Sequence, residues 1–262
     1  MSGIQSFIQS DQNSLPAILE QIDRVISWSV QQNHAVGYFA VLYYQMLRSV
    51  DAESEWGRFG NKEIVRELNL KLANQYLKTL YAYFQDDVLP GCWQLSLTSA
   101  GNEQVSLFQH LVINLHSHLE YDLPVNASQI IDAGQVESFK EDYFTYILLY
   151  VEQLSRVQAE LGKRSKAFRM MSAFGSAHDQ WIADLSRPDV HRSGFETLLQ
   201  LTRADDATRV DLIDQIDVAT TNNIESVVSG AFKPRRRLVS RVSRWESQSA
   251  GKMILELKSL LK

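Results

Sequence analysis

The fold is decided by one apolar stretch that carries three histidines, residues 109–124, QHLVINLHSHLEYDLP. Its large apolar side chains recur at intervals of three and four residues, which is the pattern of one helix face. This spacing predicts a helix over about residues 105–122, and Pro124 is expected to end it, because proline disfavours helical geometry in the residue before it. Titratable groups crowd among apolar residues here more than elsewhere in the chain. The helix is therefore expected to lie at the centre of the fold and to carry its chemistry.

Two pairs of polar side chains separate on a helical wheel drawn at about 100° per residue. His118 and Asp122 fall within the apolar sector, whereas His116 and Glu120 fall on the opposite flank. The members of each pair stand four residues apart and are neighbours on the helix surface. A buried histidine and carboxylate are costly unless they satisfy each other or another group, and burial also moves their pKa values. The first pair is therefore either an acid–base site or a polar clasp that holds the chain together.

Composition favours a helical protein and excludes several classes. The 262 residues include 12 glycines and 5 prolines, which is few for this length and indicates long regular elements. A net charge of −5 gives no reason to expect general nucleic-acid binding, which needs a basic face. A membrane span is not expected, since no run of about 18 apolar residues occurs. With a single cysteine, Cys92, and no visible signal peptide, the cytoplasm is the expected compartment.

The expected fold is all-α, a single multi-helix bundle of roughly eight helices around a central buried helix. Residues 1–262 are predicted to form one domain, with 1–13 loosely ordered and 190–262 as a C-terminal helical extension packed on the core. Helices are predicted at about residues 15–29, 34–47, 62–84, 137–161, 165–185, 194–202, 208–229 and 240–261. The basic segment from Lys233 to Arg244 would be the partner surface if the protein is a binding module, and the oligomeric state is not indicated.

Well-known catalytic motifs are absent from the sequence. It has no glycine-rich phosphate loop, no dinucleotide fingerprint and no Gly-x-Ser-x-Gly nucleophile elbow. No metal ligand is assigned, and the cofactor stays unknown. A metal-dependent hydrolase would need a third ligand such as His110 or His178 beside His118 and Asp122. His110 stands about two turns from His118, which is far for one ion.

The central stretch resembles the signature of a family of helical, mostly bacterial proteins of unknown function, Gln-His-Leu…Asn-Ala-His-Ile-Asn-x-Asp-Leu. Here it reads Gln109-His110-Leu111, then His116-Ser117-His118-Leu119-Glu120-Tyr121-Asp122-Leu123. His116 and Glu120 stand where the family has asparagines. The resemblance runs over about residues 35–157. It implies a single helical domain, directs attention to His118 and Asp122, and implies no cofactor.

The leading hypothesis is a small-molecule enzyme of specialised metabolism, with an apolar pocket between helices. His118 would act as general acid or base, and Asp122 would orient it and favour its charged form. His110 is a further catalytic candidate. The candidate substrate-binding residues are Gln109, His116, Glu120, Tyr121 and Tyr43. The alternatives are a non-catalytic helical binding module and the metal-dependent hydrolase.

Overall fold

The computed structural model describes residues 3–6, 8, 11–164, 187–229 and 249–261. These residues are all-α, as predicted. The helices are α1 (Leu15–Gln32), α2 (Val36–Glu55), α3 (Lys62–Phe84), α4 (Gly91–Thr98), α5 (Leu107–His116), α6 (Leu123–Ala127), α7 (Val136–Arg164), α8 (Pro188–Arg203), α9 (Asp206–Ser229) and α10 (Ala250–Leu260). Short 3-10 turns occupy Ile4–Ser6 and Ser99–Gly101. The helix predicted over 165–185, which carries His178, and the basic segment Lys233 to Arg244 lie outside the described residues.

Two helices form the centre of the bundle. Every residue of α5 is buried, which confirms the expected central helix. α2 is buried on all sides from Val36 to Tyr43 and packs against α3, α5, α7 and α10. α1 covers α2 and α3 from outside. Burial of this continuous apolar surface is the main force that holds the bundle together.

The central helix does not end at Pro124, and that prediction was wrong. Ser117–Asp122 forms a π turn, and the chain continues as α6. The backbone N–H of Leu123 donates to the carbonyl of His118, five residues earlier. Pro124 then stands in the first turn of α6, where its missing N–H is tolerated. The apolar spacing could not show this, because it does not reveal that one turn is wound more widely than the others.

The described parts of the C-terminal region pack on this core. α9 contacts α4, α5 and the π turn, α8 contacts α6 and α7, and α10 contacts α1, α2 and α7. Gly251 of α10 stands so close to α1 that an added Cβ would lie 2.6 Å from the carbonyl oxygen of Val30. Its N–H donates to Oδ1 of Asn33 at 2.8 Å. Among the described helices, none is both long and apolar enough to cross a bilayer.

Candidate functional site

A capping box fixes the start of α5. The Ser106 hydroxyl accepts from the backbone N–H of Gln109 at 3.3 Å, and Oε1 of Gln109 accepts from the backbone N–H of Ser106 at 3.0 Å. Nε2 of Gln109 donates to the carbonyl of Val227 at 3.0 Å. Both ends of this candidate substrate-binding amide are therefore bonded within the protein. They hold the entry to α5 and tie α5 to α9.

His118 and Asp122 lie fully inside the protein, with exposed fractions of 0 % and 1 %. Nδ1 of His118 stands 3.8 Å from Oδ2 of Asp122, which is too far for a hydrogen bond. Nδ1 of His118 and Oδ1 of Asp122 have no hydrogen-bond partner within the described part of the chain. Burial raises the pKa of Asp122, although His118 and a hydrogen bond from Trp93 act in the opposite direction. The two side chains are thus close together and buried, but they do not form a hydrogen bond with each other.

Residues from two other helices form hydrogen bonds with His118 and Asp122. Nε2 of His118 lies 3.0 Å from the hydroxyl of Tyr150 on α7. Nε1 of Trp93 on α4 donates to Oδ2 of Asp122 at 3.0 Å. Sequence reasoning assigned neither residue to the site. Both contacts join residues far apart in the chain, which a helical pattern cannot pair.

Aromatic rings enclose the pair. The Tyr43 ring centroid lies 4.9 Å from that of His118, and the Tyr150 centroid lies 5.1 Å from it. Tyr76 packs edge-on against Tyr43 at 4.8 Å. We call Phe39, Tyr43, Tyr76, Trp93 and Tyr150 the aromatic cluster. The hydroxyls of Tyr43 and Tyr76 are also buried without a hydrogen-bond partner among the described residues.

Tyr43 is the candidate substrate-binding residue that the structure brings to His118. Burial raises the pKa of Tyr43, and electrostatic interactions with Tyr146 and Asp122 raise it further. The hydroxyl therefore keeps its proton at neutral pH and is a hydrogen-bond donor without an assigned acceptor. The ring of Tyr43 thus packs against His118, which in turn lies beside Asp122, and all three side chains are buried.

His110 has different surroundings from His118. It is buried, its Nδ1 lies 3.5 Å from the hydroxyl of Ser99, and its ring packs beside Tyr38 at 5.8 Å. Burial, with a smaller contribution from His34, lowers the pKa of His110 to about 3. The ring is consequently neutral at physiological pH.

His116 and Glu120 form their own contact on the side of α9. Nδ1 of His116 lies 2.7 Å from Oε1 of Glu120, and Asn223 donates to Oε2 of Glu120 at 2.8 Å. Burial raises the pKa of Glu120, but His116 and the hydrogen bond from Asn223 outweigh it, so the pKa is lowered overall. Tyr121 is half-buried, and burial raises its pKa.

Glu120 also lines an open cleft of about 250 Å³. Its walls include Leu119, Glu120, Ile147, Thr197, Thr220 and Asn223. A second cleft, of about 410 Å³, is lined by His34, Tyr83, Phe84, Asp86, Asp87, Gln94 and Thr98. Neither cleft is lined by His118 or Asp122.

The structure therefore distributes the candidate residues over several places. His118, Asp122 and Tyr43 meet in the aromatic cluster, whereas His116 and Glu120 face α9. Within the described ranges, no group of three or more histidine, cysteine, aspartate or glutamate side chains is placed to hold a metal ion. His178, a proposed third ligand, is outside those ranges.

Comparison with known proteins gives a family and no activity. A family model described as "Family of unknown function (DUF5995)" matches residues 15–229. No curated protein and no solved structure matches the chain.

Proposed function

The chain belongs to the DUF5995 family, whose function is unknown, and we propose that it is an enzyme that acts on a small uncharged molecule by acid–base chemistry at His118 and Asp122. This membership agrees with the resemblance of its central stretch to an uncharacterised helical family. We place the activity in cytoplasmic specialised metabolism, which the lone cysteine and the largely apolar surroundings of the pair favour.

One observation carries the proposal. Three buried polar atoms on neighbouring side chains lack hydrogen-bond partners among the described residues: Nδ1 of His118, Oδ1 of Asp122 and the Tyr43 hydroxyl. Leaving a buried polar group unsatisfied costs about 1–3 kcal/mol, so folded proteins rarely retain several together without a use. A polar clasp would instead bring the histidine and carboxylate into hydrogen-bonding distance. At their separation of 3.8 Å the two groups do not satisfy each other, which supports a role in holding a ligand.

The roles follow from the atoms that are free. His118 exchanges a proton with the substrate through Nδ1, and Asp122 stabilises the charged imidazole that forms. The Tyr43 hydroxyl donates to an oxygen or nitrogen acceptor of the substrate. The rings of the aromatic cluster supply the apolar walls that small-molecule sites commonly have. The substrate is uncharged, because an additional unpaired charge in such surroundings is very costly.

The remaining candidates take supporting roles in this proposal. Leu119 follows His118 in the chain and lines the open cleft together with Glu120 and Ile147. We place the approach of the substrate at this cleft, where Glu120 forms part of the wall and His116 holds Glu120. Tyr121 stands beside Asp122 on the same turn. Gln109 and His110 hold the central helix in place.

The test begins with the purified full chain, analysed by native mass spectrometry for small molecules that remain bound. Uncharged metabolites are then screened by thermal shift, and hits are assayed for turnover by mass spectrometry. We expect His118→Gln and Asp122→Asn to abolish the ligand-induced shift and to lower turnover about 10²–10⁴-fold. His34→Gln is the control, since His34 is half-buried and packs against Trp28 and Phe84, away from His118. Ligand shifts and turnover that survive both site variants would refute the proposal.

A non-catalytic binding module is the second candidate, and the complete burial of His118 and Asp122 favours it. In that case an internal water satisfies the free atoms and the pair only stabilises the fold. The partner surface would be the basic segment that includes Arg235, Arg236 and Arg237. Replacing these three arginines by glutamine should then abolish capture of partner proteins in a pull-down. Unchanged capture would count against this candidate.

A further inference from the structure

A chain of hydrogen bonds runs from the α2 backbone to His118 through the core. Nδ2 of Asn69 donates to the carbonyl of Leu47 at 3.2 Å. The Tyr146 hydroxyl lies 3.2 Å from Oδ1 of Asn69 and 3.2 Å from the Tyr150 hydroxyl. Tyr150 in turn lies 3.0 Å from Nε2 of His118. All five residues are buried, so each bond depends on protein partners.

The first link fixes the direction of the chain. A backbone carbonyl only accepts, so Asn69 must turn its Nδ2 toward Leu47. The reversed amide would place two carbonyl oxygens 3.2 Å apart, with no proton between them. Oδ1 of Asn69 therefore faces Tyr146 and requires its proton.

Each later link has a single choice, because a phenol hydroxyl carries only one proton. Tyr146 gives its proton to Asn69, so its oxygen must accept from Tyr150. Tyr150 has then used its own proton, so its oxygen must accept from Nε2 of His118. With the chain in this direction, Nε2 carries a hydrogen.

We infer that Asn69, Tyr146 and Tyr150 are positioning residues that hold His118 with its proton on Nε2, so that Nδ1 is the nitrogen presented to a ligand. Nδ1 faces Asp122 at 3.8 Å and has no hydrogen-bond partner in the described structure. With one further proton, the net charge of the pair is zero, whether that proton lies on Nδ1 of His118 or on the carboxyl group of Asp122. The ligand then meets Nδ1, Oδ1 of Asp122 and the Tyr43 hydroxyl, and must offer both a donor and an acceptor.

This description of the ligand rests on the proposed function, whereas the position of the proton does not. An uncharged molecule with an O–H or N–H group beside a carbonyl or hydroxyl oxygen fits these three atoms. The O–H or N–H would donate to Nδ1 or to Asp122, and the oxygen would accept from Tyr43. Charged analogues of the same size would be excluded.

The proton can be located without any substrate. The full chain is labelled with ¹⁵N, and two-bond ¹H–¹⁵N correlations identify which ring nitrogens of each histidine are protonated. The His118 signals are those lost in His118→Gln. We expect a protonated Nε2 throughout the neutral pH range. An unprotonated Nε2 with a protonated Nδ1 in the wild type would overturn the inference.

A variant then tests whether the chain is the cause. In Tyr146→Phe, the hydroxyl that accepts the hydrogen bond from Tyr150 is absent. The Tyr150 hydroxyl can then donate its proton to Nε2 of His118. We expect the His118 proton to move from Nε2 toward Nδ1, where Asp122 attracts it. Tyr76→Phe is the matched control, since it removes a buried hydroxyl that makes no hydrogen bond among the described residues. Its His118 spectrum should equal that of the wild type.

An unchanged Nε2 signal in a folded Tyr146→Phe would overturn the positioning role. Tyr150→Phe is the second variant, in case the first does not fold, and should have the same effect because it removes the acceptor for Nε2. Circular dichroism establishes that each variant is folded. The wild-type spectrum is read without turnover, so failure of the proposed enzyme activity and failure of this inference are separate results.

Discussion

Trp93 and Asp122 are joined inside the core by a hydrogen bond of 3.0 Å, from the indole Nε1–H to Oδ2. The bond links α4 to the π turn. Burial raises the pKa of Asp122, and the bond from Trp93 reduces this effect without reversing it. An ionised Asp122 is therefore held at a cost in stability that His118 and the bond from Trp93 only partly offset.

Replacing this carboxylate should stabilise the protein at neutral pH. Asp122→Asn keeps an oxygen for Trp93 and removes the charge. Because the pKa of Asp122 in the folded state is raised above the ordinary value of 3.8, its contribution to stability is present below that value and is lost as the pH rises through the raised pKa. The variant should gain on the wild type over this range, by about 1.4 kcal/mol for each pKa unit between the two states. Urea unfolding at about pH 4 and about pH 7 measures the difference.

The same comparison separates the two candidate functions. When a side chain is kept for function at a cost in stability, replacing it makes the protein more stable, as is common at active sites. If Asp122→Asn is less stable than the wild type at both pH values, the pair is a structural clasp, and the binding module gains support.

Removing the side chain of Gln109 should lower the stability of the protein rather than its affinity for a ligand. Gln109→Ala breaks both its capping contact with Ser106 and its bond to the carbonyl of Val227. We expect a loss of about 1–3 kcal/mol in the free energy of unfolding. Gln94→Ala is the control, since Gln94 is exposed and bonds only within α4 to Thr98. A stable Gln109→Ala that loses ligand affinity would instead make Gln109 a binding residue.

The docking of α10 should depend on the small size of Gly251. An added methyl group at this position would lie 2.6 Å from the backbone oxygen of Val30, which cannot move independently of α1. Gly251→Ala should cost about 1–3 kcal/mol, although alanine favours a helix more than glycine does. Gly134→Ala is the control, because an added Cβ there meets no atom within 4 Å. Equal urea midpoints for the two variants would contradict this packing.

Cys92 should be unreactive until the protein unfolds. The side chain is fully buried, and burial, assisted by Asp217, raises the pKa of its thiol. The reactive thiolate is therefore both scarce and inaccessible. Iodoacetamide should label the protein slowly in buffer and completely in urea, as measured by intact mass. Rapid labelling in buffer would mean that α4 separates from the core under native conditions.

Apolar spacing was sufficient for the long helices, but it missed the short helices α4 and α6 and began α8 six residues late, at residue 194. It placed α3 at its observed bounds and identified α5 as the central buried element, because both depend on a repeat that the chain displays locally. It also placed His118 and Asp122 inside the protein, since their wheel positions fall in the apolar sector. The capping box was not predicted, although a serine three residues before Gln109, just ahead of an apolar run, is the signal for one.

The partners of the site could not be read in this way. Tyr150 and Trp93 reach the pair from α7 and α4, and a periodic pattern within one helix contains no information about its neighbours. A weak signal existed in Asn69, an amide among the inward positions of α3, since a buried amide requires polar partners. The π turn left no signal, because the apolar spacing across it looks like that of an ordinary α-helix.

The π turn also lets the chain carry one residue more than a regular α-helix would place between α5 and α6. In a regular α-helix, an inserted residue would rotate everything beyond it by about 100°. The wider turn absorbs the extra residue, so the chain beyond it keeps its direction. Loss of one codon, for example that of Leu119, would therefore return the turn to ordinary α-helix. Asp122 would then stand three residues after His118 and remain its neighbour on the helix surface.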